Sequence, residues 1–280
     1  MVVMKGCEPI KIVKGRKYFF RFTVHQRIQH GILATLVLIL VITGMPLKFH
    51  DAFWAQPVYR ILGGIHVAPK IHRMAGACML FFFIYHLIYM THMLYQRYQA
   101  GVGGENRSGA VALLKFFLTL PLVPSMRDLK EIIELVKYYL FMTDSPPRGG
   151  KWTWKDKFDY WAPFWGIPIL GMTGLMMWGQ EHATKILPGE ILNFALIAHS
   201  DEALLAALFL LIWHMYNVHF SETVFPMGSA FLTGYLSERI MVEEHYDYYV
   251  ELMTQAGLED EILPQHGARS LEAKGKEAAA

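Results

Sequence analysis

Two pairs of histidines are spaced for metal chemistry. His72 and His86 are fourteen residues apart, and His199 and His214 are fifteen apart. On helices, at about 100° per residue, each pair returns to within roughly 40° and 60° of one face, separated by about 21 to 23 Å along the axis. Two facing helices of this kind offer one imidazole pair at each of two depths, and such pairs suit a haem iron, which takes axial nitrogen ligands inside a helix bundle. A fifth histidine, His30, opens another apolar run. A single histidine near a membrane surface is ordinarily an amphipathic residue at headgroup level. Five matched in depth on three helices point instead to ligation, because polar groups within membrane spans are costly and default to function.

The elements that must position these histidines follow from composition. The chain has 280 residues, 54% hydrophobic and only 18% charged, which indicates a membrane protein. The first 29 residues are basic, then semi-polar, and lack the small-residue cleavage site of a secretory signal, so the first apolar run is expected to be retained. That run covers about 28–49, carries no charge over 33–42, and is long enough to cross a hydrocarbon layer of roughly 30 Å. A second run covers about 72–94. Between 96 and 155 the chain carries GVGG and then MRDLKEIIELVKYYLFM, which predicts an amphipathic helix on the membrane surface. After the breaker SPPRGG, a third span covers about 160–178 and a fourth runs from 191 or 199 to 220. Lys and Arg concentrate in the N-terminal segment and after the second span, which puts both termini in the cytoplasm. The expected fold is therefore an all-α integral membrane protein, a four-transmembrane-helix bundle with an amphipathic surface helix in the cytoplasmic loop. Its parts are a cytoplasmic segment 1–27, a bundle 28–220 with the loop at about 96–155, and a cytoplasmic tail 221–280, acidic, polar and alanine-terminated beyond Glu238 and expected to be soluble and partly mobile.

Topology sorts the histidines by depth. His72 and His199 share the outer level, while His86, His214 and His30 compete for two axial positions at the inner level. Gly44 and Gly76 are placed to let their helices approach a porphyrin, and Arg27 and Arg73 to pair haem propionates or lipid phosphates. His92 and His219 lie about 200° from His72 and His199 and are expected at the interface. His25, His50, His66, His182, His245 and His266 fall in loops or tails. Two cysteines, Cys7 and Cys78, cannot supply a four-cysteine iron–sulfur site, no Cys-x-x-Cys-His holds covalent haem, and a net charge of +2 gives no reason to expect nucleic acid.

At RIQH opening the first span, IHRMAG opening the second and the two histidines of the fourth, the chain resembles the bacterial di-haem cytochrome b family (cytochrome b561). Its members are membrane subunits of respiratory formate dehydrogenases, nickel–iron hydrogenases and thiosulfate reductases. The resemblance covers about 21–220. It implies two b-type haems held by His30 with His214 and by His72 with His199, and quinone chemistry beside the cytoplasmic haem. His86 departs from the simplest family pattern. With it, the spacing is also similar to the cytochrome b of quinol-oxidising bc complexes, which makes His86 an alternative inner ligand or a quinone-site residue. SPPRGGKWTWKDKFDYW is similar to members associated with multihaem c-type cytochromes.

The resulting expectation is a multi-pass subunit of the bacterial inner membrane, surrounded by membrane lipid. It exchanges electrons between a quinone, menaquinone or ubiquinone, and a redox partner subunit: an iron–sulfur protein, hydrogenase, formate dehydrogenase or multihaem c-type cytochrome. It is not expected to be a complete enzyme alone. The competing reading is a haem-free membrane anchor or transporter whose histidines relay protons.

Overall fold

A computed structural model describes residues 8–99 and 116–265; GVGG, Cys7 and His266 lie outside the described residues. The chain forms two compact units, one drawing on the N-terminal segment to Arg27, the region up to Tyr160 and the chain from Met215, the other on the two stretches between.

The second unit is built from long helices. α1 (Val24–Lys48), α3 (Ala68–Gln99) and α7 (Ile191–Phe220) are each long and apolar enough to cross a membrane, and α5 (Trp154–Trp178) has 25 residues. At about 1.5 Å per residue, every one exceeds a hydrocarbon layer of about 30 Å. The short helices α2 (Ala55–Ile61) and α6 (Gln180–Ile186) connect them. Neighbouring helices meet in a ring. Gln29 on α1 reaches His86 on α3, Phe83 on α3 packs edge-on against Phe164 on α5, Thr173 on α5 reaches His199 on α7, and Lys48 on α1 pairs with Asp201 on α7 at 2.7 Å. Buried residues are few along these helices, whereas Leu38, Ile42, Phe81, Ile88, Leu205, Leu211 and Ile212 are exposed. An apolar exterior is what a lipid solvent requires.

The other unit departs from the expected all-α architecture by carrying a three-stranded sheet. The basic N-terminal segment folds as a hairpin, β1 (Ile10–Val13) against β2 (Arg16–Phe20). Its two-residue turn, Lys14 and Gly15, has positive φ at both positions, the backbone that matches strand twist. The tail, expected to be polar and partly mobile beyond Glu238, supplies β3 (Tyr235–Ser237), antiparallel to β2, followed by α9 (Glu238–Glu244) and α10 (Tyr246–Gln255). The short helix α8 (Ala230–Thr233) precedes this strand. Phe19, Met241, Tyr249, Leu252 and Met253 form the core of the unit. The apolar positions of ERIMVEEHYDYYVELM recur at helical spacing within an acidic stretch, so overall charge concealed an amphipathic pattern.

The surface helix forms as α4 (Met126–Tyr139), with an unexpected orientation. Its polar side is the buried one: Asp128 bonds Lys157 at 2.7 Å, and Glu131 accepts from Arg127 and from the Trp154 amide. Met126, Leu129, Ile133 and Val136 form an exposed apolar stripe. Capping boxes start three helices. Thr23 with Gln26, Ser125 with Asp128 and Thr153 with Asp156 each satisfy amide donors of the first turn.

One buried cluster ties three distant segments of this unit together. Arg21 pairs with Asp156 at 3.0 Å, donates to the Lys151 carbonyl and lies 4.0 Å from the centre of the Trp152 ring. His245, expected in a loop, is buried, and its Nδ1–H donates to the Gly150 carbonyl at 2.9 Å. A Cβ on Gly149 would stand 1.9 Å from the Glu244 carbonyl oxygen. Gly149 therefore lets backbone pass against backbone, and Gly150 leaves room for the Arg127 guanidinium.

Candidate functional site

The histidines on the long helices come together as two pairs. The rings of His72 on α3 and His199 on α7 have centroids 6.1 Å apart with planes at 72°. Those of His30 on α1 and His214 on α7 are 6.3 Å apart with planes at 35°. A metal held between two imidazole nitrogens sets the centroids about 6.2 Å apart, from a bond of ~2.0 Å and a further ~1.1 Å from nitrogen to ring centre on each side. Both pairs have that separation.

Local helix geometry explains how fifteen residues on α7 serve as well as fourteen. The stretch Phe209–His214 is π-helical. A π turn takes up an extra residue through its i→i+5 hydrogen bonds, so His214 returns towards the face of His199 instead of falling about 60° away.

His72 and His199 are held by the same device on two different helices. On α1, Thr43 Oγ1 donates to the Ile39 carbonyl at 2.7 Å and lies 2.9 Å from His72 Nδ1. On α5, Thr173 Oγ1 donates to the Ile169 carbonyl at 2.6 Å and lies 3.1 Å from His199 Nδ1. The Leu170 carbonyl is a further partner of His199 Nδ1, at 3.0 Å. Because a carbonyl can only accept, His199 carries its proton on Nδ1. The committed Thr43 hydroxyl imposes the same tautomer on His72. Each ring is thereby left with Nε2 as its lone-pair nitrogen, the form a metal binds.

A glycine follows each threonine. A Cβ at Gly44 would stand 2.9 Å from His72 Cε1, and one at Gly174 would stand 3.2 Å from His199 Cε1. Gly44 thus clears an imidazole edge, where the sequence suggested approach to a porphyrin. Gly76 has only a Leu40 methyl at 4.0 Å, an ordinary packing contact.

His86 takes a different partner. Its Nδ1–H donates to Gln29 Oε1 at 2.7 Å, and its ring packs edge-on against Phe164 with centroids 5.8 Å apart. Gln29 is buried beside His30 in sequence. Arg27 donates to the Leu232 carbonyl and Arg73 is exposed. Thr43, Thr173, Gly174 and Gln29 carry parts of the site that the sequence reading passed over. The repeated Thr-Gly step, in VITGM and GMTGL, was the available signal.

The donor set narrows the chemistry further. No cluster of three or more His, Cys, Asp or Glu suited to a metal ion occurs among the described residues. Two opposed imidazoles without other protein ligands suit a metal whose equatorial positions are filled by a macrocycle, as in haem.

Comparison with known proteins agrees with this geometry. Residues 21–229 match the family model of prokaryotic cytochrome b561. The chain is also similar to the formate dehydrogenase cytochrome b556 subunit of Haemophilus influenzae, 24% identical over 243 residues, covering 86% of each chain. With apolar spanning helices, paired imidazoles and a family match over most of its length, the chain belongs to the prokaryotic cytochrome b561 family of membrane b-type cytochromes.

Proposed function

We propose that this protein holds two b haems, one between His72 and His199 and one between His30 and His214, and carries electrons between a quinone pool and a redox partner subunit. The observation that carries the proposal is the centroid separation of 6.1 and 6.3 Å in the two imidazole pairs. When bound, haem iron supplies one-electron exchange between its ferric and ferrous states. The chain itself fixes ring position and tautomer through α1, α3, α5 and α7. His86 with Gln29 offers an imidazole and an amide at the inner level, suited to hydrogen-bonding and proton exchange with a quinone headgroup. The relative from Haemophilus influenzae is named as a formate dehydrogenase subunit. By that likeness, the partner here is a catalytic or electron-carrying subunit of a respiratory complex. In this reading α5 is a fourth span, the membrane is the bacterial inner membrane, and both termini are cytoplasmic. The exposed apolar stripe of α4 then rests on lipid.

A pyridine haemochrome assay on purified protein is expected to give two haems per chain. A ratio near zero supports the haem-free anchor instead, and a ratio near one means that one pair is wrongly assigned.

The glycines give a graded result. A methyl at residue 44 stands closer to His72 Cε1 than real contacts allow, whereas at residue 174 the His199 ring need yield only a few tenths of an ångström. Gly44→Ala is therefore expected to lower haem content towards one per chain, and Gly174→Ala to keep two. Equal haem content in the two variants would contradict the geometry.

A further inference from the structure

The two Thr-Gly steps suggest a role beyond haem retention, and the inference rests on the proposed haem ligation by His72 and His199. We infer that Thr43 and Thr173 are paired positioning residues that set the ring planes of these two ligands and lower the redox potential of the haem they hold.

Each threonine hydroxyl gives its proton to a carbonyl one turn earlier, Ile39 for Thr43 and Ile169 for Thr173. Its oxygen is then an acceptor for the imidazole Nδ1–H, at 2.9 Å for His72 and, shared with the Leu170 carbonyl at 3.0 Å, at 3.1 Å for His199. Thr43 is almost wholly buried, at 1% exposure, so this acceptor does not exchange with water. An Nδ1–H drawn towards an oxygen makes the opposite nitrogen a stronger donor, which favours ferric over ferrous iron.

The same contacts restrain rotation of the rings. Gly44 and Gly174 leave one edge of each imidazole close to a helix backbone, while the hydroxyl holds the Nδ1 corner. The result is a ligand pair with planes at 72°, far from the 35° of His30 and His214. Nearly crossed imidazole planes bring two iron d orbitals close in energy, and that makes the low-spin ferric signal strongly anisotropic. The two haems should therefore differ in electron paramagnetic resonance, with the larger principal g value belonging to the His72–His199 site.

The steps lie on α1 and α5, 130 residues apart, and neither helix provides the ligand that its threonine positions. Backbone satisfaction alone would account for the bonds to Ile39 and Ile169. It does not account for a second bond from each hydroxyl to a candidate ligand.

Full-length protein carrying Thr43→Val or Thr173→Val, which keep the branched shape and remove the hydroxyl, tests this against Thr→Ser at the same positions. The valine variants should keep two haems by pyridine haemochrome. One of the two should show a raised midpoint potential in redox titration and a shifted largest g value, and serine should restore both. Two haems with unchanged potentials and g values in the valine variants would overturn the inference, leaving the threonines as packing residues. If valine expels a haem, serine variants with wild-type potentials support the hydroxyl's role, and serine variants that also lose the haem overturn it. Wild-type protein without haem would overturn the underlying reading and this inference together.

Discussion

His214→Ala is expected to cut haem content from two per chain to one and to remove the haem at the inner level outright. His30→Ala should remove the same spectral component, because the rings of His30 and His214 stand 6.3 Å apart across one candidate iron position. His86→Ala should keep both haems. Its Nδ1–H is committed to Gln29 Oε1 and its ring lies against Phe164, so its loss removes a hydrogen-bonded imidazole without emptying an axial position. The expected cost of His86→Ala is slower quinol oxidation or quinone reduction, by the factor of about 10² to 10⁴ typical of a lost general acid or base. Reduced-minus-oxidised spectra of the three variants decide the matter. One haem in His86→Ala, with two retained in His30→Ala, would reverse the assignment and place His86 opposite His214.

The second large effect concerns stability. Arg21→Ala is expected to destabilise the unit built from the hairpin, the PPRGG segment and α9–α10 by about 1 to 3 kcal/mol, because a buried guanidinium is lost from an ion pair whose remaining carboxylate is partly exposed and still capped by Thr153. Arg21 is 5% exposed, and its partner Asp156 would lose the guanidinium that holds its carboxyl down at about 2. The removal of both groups in Arg21→Ala with Asp156→Ala should cost less than the sum of the single changes. Limited proteolysis between Tyr235 and Gln255 reports the loss. An unchanged cleavage rate in Arg21→Ala would show that the pair contributes nothing.

Acid should act through the same cluster. His245 is held below its ordinary value of 6.5 by burial and by Arg21, so the stability gained from its neutral form is complete above 6.5 and declines as pH falls below it. Asp156 lies at about 2 against an ordinary 3.8; against the upward effect of burial, Arg21 is the leading cause of its depression. Its contribution is complete above 3.8 and is lost as pH falls towards 2. Asp156→Asn should abolish the lower transition and leave the upper one.

Much of the fold was legible because membrane helices are encoded by long uninterrupted apolar runs. Those runs located α1, α3 and α7, the helices apolar enough to cross a membrane, and most of the helix α5, though α3 and α5 begin earlier than apolarity alone suggested, at Ala68 and Trp154. The hairpin and tail were not legible in the same way. β1 and β2 have four and five residues, and β2 finds its second neighbour in β3, more than 200 residues later. Strands that short are stabilised by packing partners rather than by local preference.

For the candidate site, residue types and their spacing were legible in the chain: five histidines at helical spacing, and two cysteines too few for a cluster. That spacing left His30 and His86 both open as the neighbour of His214, because they lie on different helices and ring rotation and helix tilt can absorb the angles that periodicity supplies. In the tertiary structure His30 stands beside His214, while His86 bonds Gln29 and packs against Phe164. Only tertiary structure set Thr43 against His72 and Thr173 against His199. The physical reason is that hydrophobic period fixes where a helix runs, whereas the pairing of side chains depends on helix rotation and crossing, which are settled by contacts between residues far apart in the chain.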